Sequence, residues 1–134
     1  MEAGLAPGQI HRGLRIFRAA VPVFERFIQR MGHVMFFIEP LFYHNAIIFE
    51  RYGFAYSRGR REMESIHHDF QPGNRLHRQL DDSTPFRSRL AWKTVLGRSW
   101  AIHDGVLGHA FSGVQMYKRV GGMAHVCTFP DADW

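Results

Sequence analysis

From Leu14 the chain spells out an amphipathic helix and then, one glycine later, an apolar strand, and this order constrains the fold more than any other feature. Phe17, Ala20, Val21, Phe24, Phe27, Ile28 and Met31 recur at helical spacing, while Arg18, Glu25, Arg26, Gln29 and Arg30 fill the complementary face. Gly32 is a natural C-terminal stop. Pro22 removes an N–H from the helix interior and predicts a kink there. His33 to Glu39 is apolar on both faces, as expected of a strand in a sheet covered on both sides, and Pro40 ends the ladder. Asn45 to Tyr52 then predicts two helical turns, Gly53 a break, and Phe54 to Ser57 a second strand. The fold class expected is α/β, a mixed sheet with packed helices. A helix that starts at a turn also leaves unpaired N–H groups at its N-terminus, a common support for phosphate.

The remainder is less periodic. Residues 1–10 read as a loose lead-in broken by Gly4, Pro7 and Gly8. Met63, Ile66, His67 and Phe70 predict a helix over 60–70, followed by a turn at Gln71-Pro72-Gly73-Asn74 and one or two helical turns over Arg75 to Leu80. Asp82-Ser83-Thr84-Pro85 marks a loop. Leu90 to Leu96, Val114 to Val120 and Ala124 to Phe129 predict strands, and Ser99 to Gly105 a strand running into a turn. A chain of 134 residues predicts one domain. Within it, 11–57 is the most patterned segment, 58–113 is unassigned, and 114–129 supplies closing strands.

Hydrophobic residues make up 46% of the chain, which argues against disorder. No apolar run approaches the roughly 18–20 residues of a membrane span, and MEAGLAPGQI has no basic start followed by an apolar block. The single cysteine, Cys127, excludes an internal disulfide and a cysteine-rich zinc site, and reads as a reduced, buried thiol. A cytoplasmic protein without a membrane partner is expected. The net charge is +5, and Arg supplies 15 of the 17 basic residues. Arginine permits an anionic ligand by bidentate pairing. Its spread along the chain, with Arg58, Arg60 and Arg61 the tightest run, makes nucleic acid an unlikely partner.

Residues 11–57 resemble the second half of a Gcn5-related N-acetyltransferase domain. Arg12-Gly13-Leu14-Arg15-Ile16-Phe17 falls on that family's cofactor motif, with Arg15 and Phe17 where the family prefers small residues. His33 to Glu39 is similar to the strand that splays from its neighbour to admit the pantetheine arm. His44 to Phe54 resembles the family's Asn-containing helix ending in Tyr-Glu-Lys/Arg-x-Gly-Phe, matching at Glu50, Arg51, Gly53 and Phe54 and departing at Phe49, where the family often has tyrosine. Val114 to Val120 is similar to the closing strand. The resemblance implies acyl transfer from acetyl-coenzyme A to an amine. Arg12, Gly13 and Arg15 would then hold pyrophosphate, Asn45 the cofactor arm, and Tyr52 would be the candidate acid. The family's first strands have no counterpart here. C-terminal strands, or a second copy of the chain, are expected to complete the sheet, so a homo-oligomer is expected.

Other groupings carry weaker signals. Glu39, at an apolar strand end, suits a general base for an ammonium, and equally a surface residue before Pro40. Ser99 with His103 and Asp104 could form a nucleophile and an acid/base pair, but the Gly-x-Ser-x-Gly setting is missing and Asp104-Gly105 is an ordinary turn. His67, His68, Asp69 and His77 lack the spacing of known zinc motifs, and no metal is expected. A non-enzymatic, self-associating module derived from the acetyltransferase fold, or an Arg-rich nucleic-acid binder, remains as an alternative function.

Overall fold

The computed structural model describes Ala6, Pro7 and residues 14–134, with the backbone alone for 14–18. Helix α1 spans Leu14–Arg30 and runs through Pro22 without interruption. Gly32, at φ 84°, turns the chain into β1, Met35–Ile38. Helix α2 is Tyr43–Arg51, and Gly53 at φ 94° releases the chain into β2, Ala55–Arg58. Gly59, left-handed at φ 92°, starts α3, Arg60–Asp69, whose Met63 and Ile66 are buried. A short α4, Arg75–Arg78, and a 3-10 turn, Ala91–Lys93, lead to α5, Val95–His103, and β3, Gln115–Arg119, closes the sheet.

The described sheet has three strands in the order β1-β3-β2, all antiparallel. Phe36 sits opposite Lys118 and Phe37 opposite Tyr117, while β2 pairs Tyr56 with Met116 before a bulge near Arg58. The last strand thus inserts between the first two and leaves β1 at an edge. Residues directly opposite share a face, so Phe36, Lys118 and the helix above them lie on one side. There Lys118, only 3% exposed, pairs with Glu25 of α1 at 3.2 Å and donates to the Gly122 carbonyl at 2.7 Å. Glu25 also accepts from the Gly121 N–H at 2.7 Å. This knot fastens α1 to the end of β3.

Three expectations need correction. First, β1 is not covered on both sides: Val34 is 72% and Phe37 54% exposed. Second, residues 90–96 and 99–102 are not strands but the 3-10 turn and α5, because Thr94 caps a helix, its Oγ1 accepting from the Gly97 N–H at 2.9 Å. Third, 124–129 forms no strand. No described strand follows β3, so beyond β3 itself no C-terminal strand extends the sheet. The C-terminal segment instead ties to α5 and α2, through Val95 N–H to the Asp133 carbonyl at 2.8 Å and Arg51 to the Ala132 carbonyl at 3.1 Å. No described helix is long and apolar enough to cross a membrane.

Candidate functional site

The apolar face of α1 is only partly used by the sheet. Phe24 meets Phe36 edge-on at 5.0 Å, and Phe36 meets Phe54 at 5.5 Å. Beside this stack lies an apolar groove of about 640 Å³, walled by Val23, Phe24 and Phe27 of α1 and by Phe37 and Ile38 of β1, with Phe49 of α2. Val23 and Phe27 stay exposed.

Where Pro40 stops β1, the chain folds back into α2 and leaves a smaller pocket of about 240 Å³. Glu39, Phe42, His44, Asn45 and Phe49 line it. Phe49 belongs to both linings and so stands between groove and pocket. Two residues singled out in the sequence, Glu39 and Asn45, are brought together. Tyr52 is not: it is the C-terminal cap of α2, seven residues past Asn45, or roughly 10 Å along the axis. Arg12 and Gly13 lie outside the described residues, as does the side chain of Arg15.

His44 escaped the sequence reading. It is 1% exposed, its ring stacks on Phe42 at 5.6 Å and 19°, and its Nδ1 lies 2.9 Å from Ser99 Oγ of α5. Burial pulls its pKa down to about 4, so it is neutral at pH 7. A histidine in the first turn of a helix whose charged residues come only at Glu50 and Arg51 was the available signal. Ser99 therefore does not join His103 and Asp104. Asp104 is held by Arg87 Nε at 2.9 Å and by the Thr84 hydroxyl at 3.0 Å, while His103 is exposed. That proposed constellation is not assembled.

A second polar cluster lies on the other side of α2. Glu50 is buried and accepts from the Tyr56 hydroxyl at 2.5 Å and from the Thr128 N–H at 2.9 Å and hydroxyl at 2.5 Å. Burial outweighs these bonds and raises its pKa. Arg98, fully buried, donates to the Trp92 carbonyl at 2.7 Å, reaches His67 Nδ1 at 3.1 Å, and lies 3.5 Å over the Phe129 ring. Its one signal was a lone charge in an apolar helix. Cys127 is exposed, not buried as expected, and lines a pocket of about 480 Å³ with Glu50, Arg51 and His125. Among the described residues no three His, Cys, Asp or Glu side chains converge as a metal site. His68 pairs with Asp69, and His77 accepts from the Gly73 N–H.

The described residues form a small mixed α/β fold with an apolar groove and, next to it, a smaller pocket that carries Glu39, His44 and Asn45. Searches against protein-family models, curated proteins and solved structures return no match for the chain.

Proposed function

We propose that this chain is an acetyltransferase-like domain that binds coenzyme A or acetyl-coenzyme A and presents the thioester to an amine. The observation that carries this reading is the pair of cavities, an apolar groove and a small pocket, on either side of Phe49 at the end of a strand paired on one side only among the described residues. A pantetheine arm is long, thin and partly amide. It suits an apolar trough beside unpaired strand backbone. The element order of 14–58 and the return of β3 onto β1 also support the reading. In it, Arg12, Gly13 and Arg15 hold pyrophosphate, and Asn45 meets the acyl end of the arm. The amine nitrogen bonds to the acyl carbon, the carbon–sulfur bond breaks, and the departing thiolate takes its proton from solvent. Glu39 takes a proton from the substrate ammonium, and the neutral amine so formed is the attacking group. Thermal melting with coenzyme A and acetyl-coenzyme A tests this. Saturating ligand adds roughly 2.7 kcal/mol at a hundred times Kd, so Tm rises by several degrees, and less so in Arg12→Ala. An unmoved Tm at millimolar concentration of both ligands removes the reading.

A second reading, a self-associating module, rests on a different observation. Val23 and Phe27 of α1, Met31 just after it, and Val34 and Phe37 around β1 are all exposed. An apolar helix face next to a free strand edge is a template for pairing. A second copy of the chain would satisfy both at once.

A further inference from the structure

His44 meets the small pocket with one particular ring edge. One face is covered by Phe42, and Nδ1 is engaged by Ser99. The direction of that hydrogen bond follows from satisfaction. Ser99 is 2% exposed, and its hydroxyl has no other hydrogen-bond partner among the described residues. If Nδ1 carried the proton, the serine hydrogen would be buried with nowhere to go, at the full desolvation cost of an unpaired donor. The serine therefore donates to Nδ1, and the imidazole proton resides on Nε2. Nε2 has no partner among the described residues, yet the only buried, unpartnered side-chain polar atom among them is Arg98 Nη2. Nε2 therefore keeps some exposure, and the pocket is the opening that His44 lines.

The pocket therefore offers a neutral N–H donor between apolar walls, with the Glu39 carboxylate at its rim. A carboxylate or phosphate would meet repulsion from Glu39 and no cation among the described lining residues. A neutral oxygen acceptor meets a directed donor in a desolvated place, where such a bond is strongest. We propose that His44 Nε2–H holds the oxygen of an uncharged carbonyl group in this pocket, an amide, ester or thioester on an apolar body, with Ser99 as the positioning residue that fixes the tautomer. Burial keeps the imidazole neutral across the physiological range, so the donor does not depend on protonation. This deepens the acyl-transfer reading and rests on it in one respect, that the carbonyl would be the thioester's.

Long-range proton–nitrogen correlation spectra of the histidine rings test the proposal on the intact chain, with N-benzylacetamide as the uncharged carbonyl probe and phenylacetate as the anionic one. In the wild type, Nε2 of His44 is protonated and Nδ1 is not. N-benzylacetamide shifts the Nε2 resonance saturably, and phenylacetate at equal concentration leaves it unmoved. His44→Leu weakens N-benzylacetamide binding about tenfold, the loss of one hydrogen bond, and His44→Gln, which restores an amide donor, recovers most of it. Ser99→Ala mixes the tautomers, a change that a purely structural serine would not produce. A proton on Nδ1 in the wild type, the absence of a saturable shift, or an equal response to phenylacetate overturns the proposal, and none of these needs a variant to fold. A His44 shift with N-benzylacetamide but no thermal response to acetyl-coenzyme A would sink the cofactor reading alone. The reverse pattern would sink this one alone.

Discussion

His44 and Glu50 stand six residues apart on one helix and bias stability in opposite senses. The folded His44 titrates at about 4 against 6.5 when unfolded. Below 6.5 the unfolded chain binds a proton that the folded one refuses, so stability is full above 6.5 and lost as pH falls towards 4, by roughly 3 kcal/mol. Glu50 is raised above its ordinary 4.5. Between 4.5 and its folded pKa the native state holds more protons, so its contribution declines as pH rises through that window and is flat beyond it. Urea midpoints measured from pH 4 to 8 should therefore show an acid-side loss that disappears in His44→Gln. Glu50 opposes this slope, so a decline on raising pH from 4.5 should be uncovered in His44→Gln, and Glu50→Gln should steepen the acid-side loss. An acid limb unchanged in His44→Gln would show that the ring is not held neutral by burial. Neither environment could be read along the chain. Glu50 was legible as part of an Asn-helix motif, but its partner Thr128 is 78 residues away, and Ser99 is 55 residues from His44.

Gly97 and Glu25 show how elements are held rather than merely formed. Gly97 lies in the first turn of α5, where alanine would add about 1 kcal/mol of helix propensity. A Cβ there would stand 2.5 Å from the Ala91 carbonyl oxygen and 2.7 Å from the Ala91 Cα, both backbone atoms. Overpacking against backbone costs about 1–3 kcal/mol or more, so Gly97→Ala should lower the thermal midpoint. A raised midpoint would mean that the 3-10 turn yields freely. Glu25→Ala leaves Lys118 buried without its counter-charge, a loss of about 3–5 kcal/mol when a buried pair is broken from one side. The loss should concentrate in α1, whose amides should exchange with deuterium faster than those of α2 and α5; uniform acceleration would show that the pair does not anchor the helix. The helices α1 to α4 and strand β3 were legible because periodicity, Gly32, Gly53 and Pro40 are local signals. Residues 90–102 were misread because Val, Thr and Trp suit strands, and the capping role of Thr94 was overlooked. Residues 124–129 have strand-like composition but pair with no strand; the Ala124 N–H goes to the Gly53 carbonyl instead, a contact that composition cannot report.

At the scale of the molecule, β1 and β2 are each paired on one side only, and much of the helix face beside β1 is exposed among the described residues. If a second copy covers them, sedimentation velocity should show mass rising with concentration, and Phe37→Lys, a charge on an edge strand, should hold the chain at monomer mass. Concentration-independent monomer mass in the wild type would exclude pairing through this face. The apolar spacing of Leu14–Arg30 and the run before Pro40 were enough to predict a helix followed by a strand, because each follows from neighbours within one or two turns of backbone. Spacing could not say that β3 would insert between β1 and β2 and leave β1 at the edge, nor that His44 would find Ser99 or Glu25 find Lys118. Those pairings join residues distant in sequence, and which of them form depends on which faces meet when the whole chain competes for burial.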